Sequence, residues 1–123
     1  MERIYEADGV TFCDFDRGAK TLYVKWYKLG SHEHLRPCVE AQMDRVKAGR
    51  AEYLIIDVSE AKGTPSQADQ EWFGQVVFPC YRDHGLRAAI TVLPASAITR
   101  MGAERWVKTA SDCGFASVDA GEA

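Results

Sequence analysis

The sequence predicts an α/β fold: a mixed, mostly parallel sheet with antiparallel N-terminal strands and three main helices. Three observations carry this. Residues 4–27 alternate apolar and polar side chains and are broken only by short turns; residues 53–58 and 87–93 are nearly unbroken apolar, β-branched runs; and helical spacing recurs between and after those runs. With 123 residues, 46% hydrophobic and 27% charged, the chain fits one domain spanning residues 1–123, long enough to bury a sizeable core.

The first three strands are expected at 4–7, 10–14 and 21–27. Asp8-Gly9 and Asp16-Arg17-Gly18 supply the turns. Such short connections join antiparallel neighbours, whereas parallel strands need crossovers of a dozen residues or more. Leu22, Val24 and Trp26 share one face of the third strand. After Gly30, Ser31 is placed to cap a helix in which Leu35, Val39, Gln42 or Met43, and Val46 recur up to the stop at Gly49. Pro37 lies beyond the first turn of that helix and removes a backbone donor, so where the regular helix starts stays open.

Residues 53–58 read as a central strand covered on both faces. Ser66 with Asp69 three residues on forms the acidic variant of a capping box, opening a helix expected to run to Phe78 and stop at Pro79. A further buried strand is expected at 87–93, a third helix from Ser96 to about Ser111, and a short last strand at 115–119. Right-handed crossovers bring the ends of the parallel strands to one rim, carrying Asp57, Ser59, Thr64, Ser66, Pro94 and Ser96.

Charge and composition exclude several classes. A net charge of −3, with no run of Lys and Arg on one predicted face, gives no footprint for a phosphate backbone, so nucleic acid is not an expected partner. Glu2, Arg3, Glu6, Asp8, Asp14, Asp16, Arg17 and Lys20 rule out an apolar signal-peptide core in the first twenty residues, and a cytoplasmic location is expected. No apolar run approaches the roughly 20 residues of a spanning helix, so any membrane contact would be peripheral. Cys13, Cys38, Cys80 and Cys113 are widely spaced with no C-x-x-C pair, which favours reduced, mostly buried thiols over a zinc or redox site.

The clusters that suggest chemistry are sparse. His32-Glu33-His34 is the densest, but consecutive helical residues diverge by about 100°, so a solvated helix start is favoured over a metal site. His84 sits in the turn Arg82-Asp83-His84-Gly85. No G-x-S-x-G turn and no glycine-rich strand-to-helix loop is present. No enzyme, metal or cofactor is therefore expected. Asp57 and Ser59 form either a ligand-orienting pair or, more simply, a pair satisfying backbone donors in a turn.

The second helix is the most informative segment. Trp72, Phe73, Val76 and Val77 cover roughly 140° of its circumference, with Phe78 off that arc. In the third helix Thr99, Gly102, Ala103, Trp106, Val107 and Ala110 share a face of mostly small residues, with Ile98 and Met101 outside it. Small residues either bring a helix close to its neighbours or leave room beside Trp106 for an apolar guest, with Ile98 and Met101 at the mouth. The second possibility makes Trp72, Phe73, Val76, Met101 and Trp106 the expected lining of a groove for a small hydrophobic or lipid-like ligand.

Element order and several motifs resemble the SpoIIAA-like family, small bacterial proteins sharing the fold of STAS and CRAL-TRIO lipid-binding domains. The resemblance covers nearly the whole chain. It rests on Tyr23-Val-Lys-Trp26, Leu54-Ile-Ile-Asp57-Val-Ser59, Asp69-x-x-Trp72 in a helix closed by Pro79, and Gly85-Leu-Arg87 leading into Ala89-Ile-Thr-Val-Leu-Pro94. It implies a non-enzymatic module. STAS relatives dock onto protein partners, sometimes switched by phosphorylation of a serine after the central strand, and CRAL-TRIO relatives hold an apolar molecule. Lys62-Gly-Thr64-Pro-Ser66-Gln stands where the anti-sigma-factor antagonists carry an Asp-Ser-Ser-Gly-like turn, so Asp57, Ser59, Thr64 and Ser66 form a candidate switch loop that departs from that motif. Many members continue into a short helix beyond the position of Asp119; its loss is expected to open a sheet edge or favour a homodimer.

Overall fold

A computed structural model describes residues 1–115. Its elements are β1 (Glu2–Ala7), β2 (Thr11–Asp16), β3 (Thr21–Trp26), α1 (His32–Lys47), β4 (Tyr53–Asp57), α2 (Gln67–Trp72), a π-helical turn (Phe73–Val77), α3 (Phe78–Asp83), β5 (Ala88–Val92) and α4 (Ala97–Asp112). The strand expected at 115–119 lies outside the described residues except for Phe115, which is buried.

The sheet has the order β1-β2-β3-β4-β5. β1–β2 and β2–β3 are antiparallel, β3–β4 and β4–β5 parallel, so the described sheet is evenly mixed rather than mostly parallel. Strands β3, β4 and β5 march across the sheet in one direction. Right-handed crossovers that never reverse direction leave every helix on the same face. The register agrees: Leu22 pairs with Leu54 and Leu54 with Ala89, Val24 with Ile56 and Ile56 with Thr91, and this row meets the helices. Cys13, Phe15 and Trp26 continue it into the core.

That geometry corrects the expectation that β4 is covered on both faces. Leu54 is buried, but Tyr53 is exposed and Ile55 half-buried, on a side with no helix over it among the described residues. The apolar run misled because Ile55, Ile90 and Val92 are apolar on the open face as well, beside the half-buried Phe12, Tyr23 and Lys25. There is also no reversal of strand order among β3, β4 and β5, hence no switch-point crevice of the doubly wound kind.

α1 is regular from His32 despite Pro37. Pro37 is exposed, as is Glu33, whose carbonyl loses its helical partner, so water can satisfy the freed group. The second helical segment departs further from expectation: it does not stop at Pro79. The Phe78 N–H bonds to the Phe73 carbonyl across the π turn, and α3 begins with Pro79 in its first turn, where a missing donor costs little. One extra residue in that turn rotates the side chains beyond it. Phe73, Val77, Phe78 and Tyr81 point into the core, while Val76 is 43% exposed.

α4 buries Thr99, Gly102, Ala103, Trp106 and Ala110, the expected small-residue face. Its small residues serve close approach. A Cβ on Gly102 would lie 2.1 Å from Thr64 Oγ1 and 2.8 Å from Thr64 Cβ, so the loop before α2 rests directly on this glycine. Gln70 Nε2 donates to the Gly102 carbonyl at 3.0 Å and clamps the same place.

Gly102→Ala is therefore expected to destabilise the protein by about 1–3 kcal/mol in urea unfolding. Thr64→Gly removes both clashing atoms, and the double variant should recover part of the loss; a cost independent of residue 64 would place the clash elsewhere.

Candidate functional site

Between the sheet and the helices lies an apolar cavity of about 40 Å³. Val24, Trp26, Leu54 and Ile56 form its floor; Leu35, Val39 and Gln42 of α1, Phe73, Val77, Phe78 and Tyr81 of the π turn and α3, and Trp106 of α4 form its walls. Phe73 organises the wall, its ring 6.2 Å from Trp106 and 6.4 Å from Phe78, both edge-on. The Trp106 indole N–H donates to Thr91 Oγ1 at 3.1 Å, which satisfies the polar end of that ring and fixes its plane. Gln42 is buried on the same wall, with Oε1 accepting from the Tyr81 hydroxyl at 3.2 Å. This pair is the polar element in an otherwise apolar lining.

Of the residues expected to line a groove, Phe73 and Trp106 meet at this cavity. Trp72, Val76 and Met101 do not border it. Trp72 is half-buried beneath the Arg36 guanidinium, 4.8 Å from its ring centre. Met101 is 69% and Ile98 73% exposed, an apolar ridge on the outer side of α4 rather than a guarded mouth.

The outer edge of the cavity wall is latched to α1. Asp69, 1% exposed, accepts from Arg36 Nε at 3.0 Å and pairs with His32 Nδ1 at 2.8 Å. Ser66 accepts from the Asp69 N–H at 3.1 Å, so the expected cap is present, but the Asp69 carboxylate turns to α1 instead of completing a capping box. Burial alone would raise the Asp69 carboxyl, and the hydrogen bonds from His32 and Arg36 outweigh it and hold the group below its ordinary value. His32 and His34 diverge as expected, His34 meeting the Tyr5 hydroxyl at 3.0 Å. No group of three or more potential metal ligands occurs among the described residues.

The second candidate place is the rim. Asp57 accepts from Ser59 Oγ at 2.6 Å, from the Ser59 N–H at 3.0 Å and from the Tyr23 hydroxyl. Lys25 lies 4.0 Å from Asp57 and is ion-paired with Glu60. For Asp57 too, burial opposes ionisation while the Ser59 and Tyr23 hydrogen bonds lower its carboxyl overall; burial and Asp57 push the Tyr23 phenol up. Asp57 thus satisfies one backbone donor, the Ser59 N–H, whereas the Ser59 hydroxyl bonds the Asp57 carboxylate rather than a backbone group. Ser59, Pro94 and Ser96 of the expected rim come together in a groove of about 440 Å³ with Glu60, Ala61, Lys62, Gly63, Ala95, Ile98 and Thr99. Thr64 and Ser66 stay outside it, against Gly102 and at the α2 cap.

Cys13 and Cys38 are buried, Cys80 and Cys113 half-buried, and all four are free. Burial pushes the Cys38 thiol up to about 11 and Cys13 higher, the mark of unreactive thiols. No helix among the described residues is long and apolar enough to cross a membrane. No family model matches this chain, and no curated protein or solved structure matches it at a significant level.

Sequence reasoning missed the Gln42–Tyr81 pair and the Asp69 latch. A polar Gln42 on the apolar stripe of α1 signalled the first; the His32-x-x-x-Arg36 spacing, which sets both groups on one helix face, signalled the second.

Asp69→Asn should cost roughly 2–4 kcal/mol at pH 7, because it removes the charge that His32 and Arg36 surround. A carboxylate with a lowered folded value stabilises above its unfolded value of about 3.9 and loses that contribution as pH falls through the folded one. The gap between wild type and variant in urea midpoint should accordingly close below about pH 4. A gap constant from pH 7 to pH 3 would assign the loss to packing.

Proposed function

We propose that the protein is a non-enzymatic binding module that takes a small hydrophobic or lipid-like ligand between its helices and sheet. The observation that carries this is the apolar cavity walled by the π turn and Trp106. At about 40 Å³ it is well below the roughly 150 Å³ void that accepts benzene in an engineered protein, so a ligand enters only as a wall moves outward. The π turn is the wall suited to that motion. Such turns are rare, appear mostly as single bulges and recur at functional sites. Shifting its hydrogen bonds would carry Phe73 and Val77 away from Trp106, with the Gln42–Tyr81 pair left to meet a ligand's polar end. The exposed ridge of Ile98 and Met101 suits peripheral contact with a membrane surface that supplies such a ligand. The resemblance to the SpoIIAA-like family supports the same reading through its CRAL-TRIO relatives, and we include that fold assignment in the proposal.

A second reading, a protein-interaction or signalling module, draws on Ser59. Its exposed hydroxyl donates to Asp57, and a phosphate there would replace that bond with repulsion and displace the loop.

Native mass spectrometry of the protein from its own host, followed by denaturation and extraction, is expected to reveal a stoichiometric apolar compound. Val77→Ala, which enlarges the cavity, should raise the melting-temperature gain on adding benzene relative to wild type. A clean apo mass, together with no benzene response in either protein, would overturn the ligand reading and direct attention to partners of the Ser59 loop.

A further inference from the structure

The rim groove shares no lining residue with the apolar cavity, and its lining, though mostly apolar, carries more polar surface. Its wall on one side is the start of α4. Ser96 occupies the N-cap position but its side chain makes no capping bond, and no acidic residue lies in the first turn. The N–H groups of Ala97, Ile98 and Thr99 have no acceptor among the described residues, leaving the positive end of a 16-residue helix uncompensated.

A helix start alone binds nothing in particular, and the second observation is Thr99. It is 2% exposed, it lines the groove, and its hydroxyl has no hydrogen-bond partner among the described residues. The hydroxyl is not one of the fully buried unpaired atoms, so it opens to the groove, where a ligand atom can complete its bonding. Lys62 also lines the groove, and its ammonium is in none of the ion pairs among the described residues. Its backbone is fixed by hydrogen bonds from its N–H to the Tyr27 carbonyl and from the Leu29 N–H to its own carbonyl, so this wall is held in place. Glu60, the carboxylate on the same lining, is taken up by Lys25.

We propose that this groove binds the phosphate group of a small phosphorylated molecule. The α4 N–H groups, the Thr99 and Ser96 hydroxyls and the Lys62 ammonium supply the donors, an arrangement suited to a tetrahedral oxyanion at a helix start. The groove volume of about 440 Å³ lies in the range of roughly 300–1,000 Å³ typical of small-molecule sites, so the remainder of the molecule has room beside Pro94 and Ile98.

The test is titration of the ¹⁵N-labelled protein with inorganic phosphate and, separately, with glycerol 3-phosphate, at ionic strength held constant with chloride. Saturable shifts are expected at the amides of Ala97, Ile98, Thr99 and Arg100, with tighter binding of the monoester. Two variants keep the fold while removing donors. Thr99→Val is isosteric, and Ala97→Pro removes one N–H at the first helical position, where the Ser96 ψ of 125° already suits a following proline. Each should weaken binding about tenfold, the worth of one hydrogen bond to a charged group. Absence of saturable shifts with either probe, or unchanged affinity in both variants, would overturn the site. Saturation by inorganic phosphate but not by glycerol 3-phosphate would overturn the ligand class.

Discussion

The one-directional march from β3 to β4 to β5 constrains everything else in this structure. Because each crossover has the same hand, α1, the α2–α3 segment and α4 all crowd onto one face of the sheet. That single layer must supply the core by itself, and it does so with large rings, Phe73, Phe78, Tyr81 and Trp106, set edge to face. Rings packed at these angles do not tile a flat sheet without gaps, and the apolar cavity lies where the three helical segments meet above Val24 and Leu54. The same march brings the loops after β4 and β5 side by side, which creates the rim groove.

Much of this layout was legible because local patterns and tertiary burial agree. Leu22, Val24 and Trp26 alternate in sequence and are buried together, and Thr99, Gly102, Ala103 and Trp106 share the face that helical spacing assigns them. The failures cluster where a distant partner or an irregular backbone decides. Pro79 reads as a stop under α-helical rules, yet it falls at the start of α3 once a π turn precedes it. The same turn explains why Val76 faces outward although a uniform period of 3.6 puts it beside Phe73. Ile55 and Ile90 made their strands look enclosed, whereas side-chain chemistry alone does not report which face of a sheet the helices choose.

The candidate sites divide along the same line. Phe73 and Trp106 were recognisable as large rings on helix faces, and both border the cavity. Asp69 was read as half of a local cap, because its partners, His32 and Arg36, lie more than thirty residues earlier in the chain. Its role ties the cavity's outer edge to the start of α1, with Arg36 lying over Trp72 as a second fastening. Thr99 looked like one more small residue; only the loops on either side of it reveal an unpaired hydroxyl at the base of a groove.

The π turn also sets how this region can change over evolutionary time. Because the turn holds one residue more than an ordinary helical turn, losing a single residue between positions 73 and 77 would restore ordinary winding while leaving Phe78 and Tyr81 facing the core. Substitutions at the outward Gln75 or Val76 leave that phase intact. Related chains should therefore vary freely in composition along the outer side of this stretch and tolerate the loss of one residue here, with a plain helical turn in its place, more readily than a change of length elsewhere in the segment.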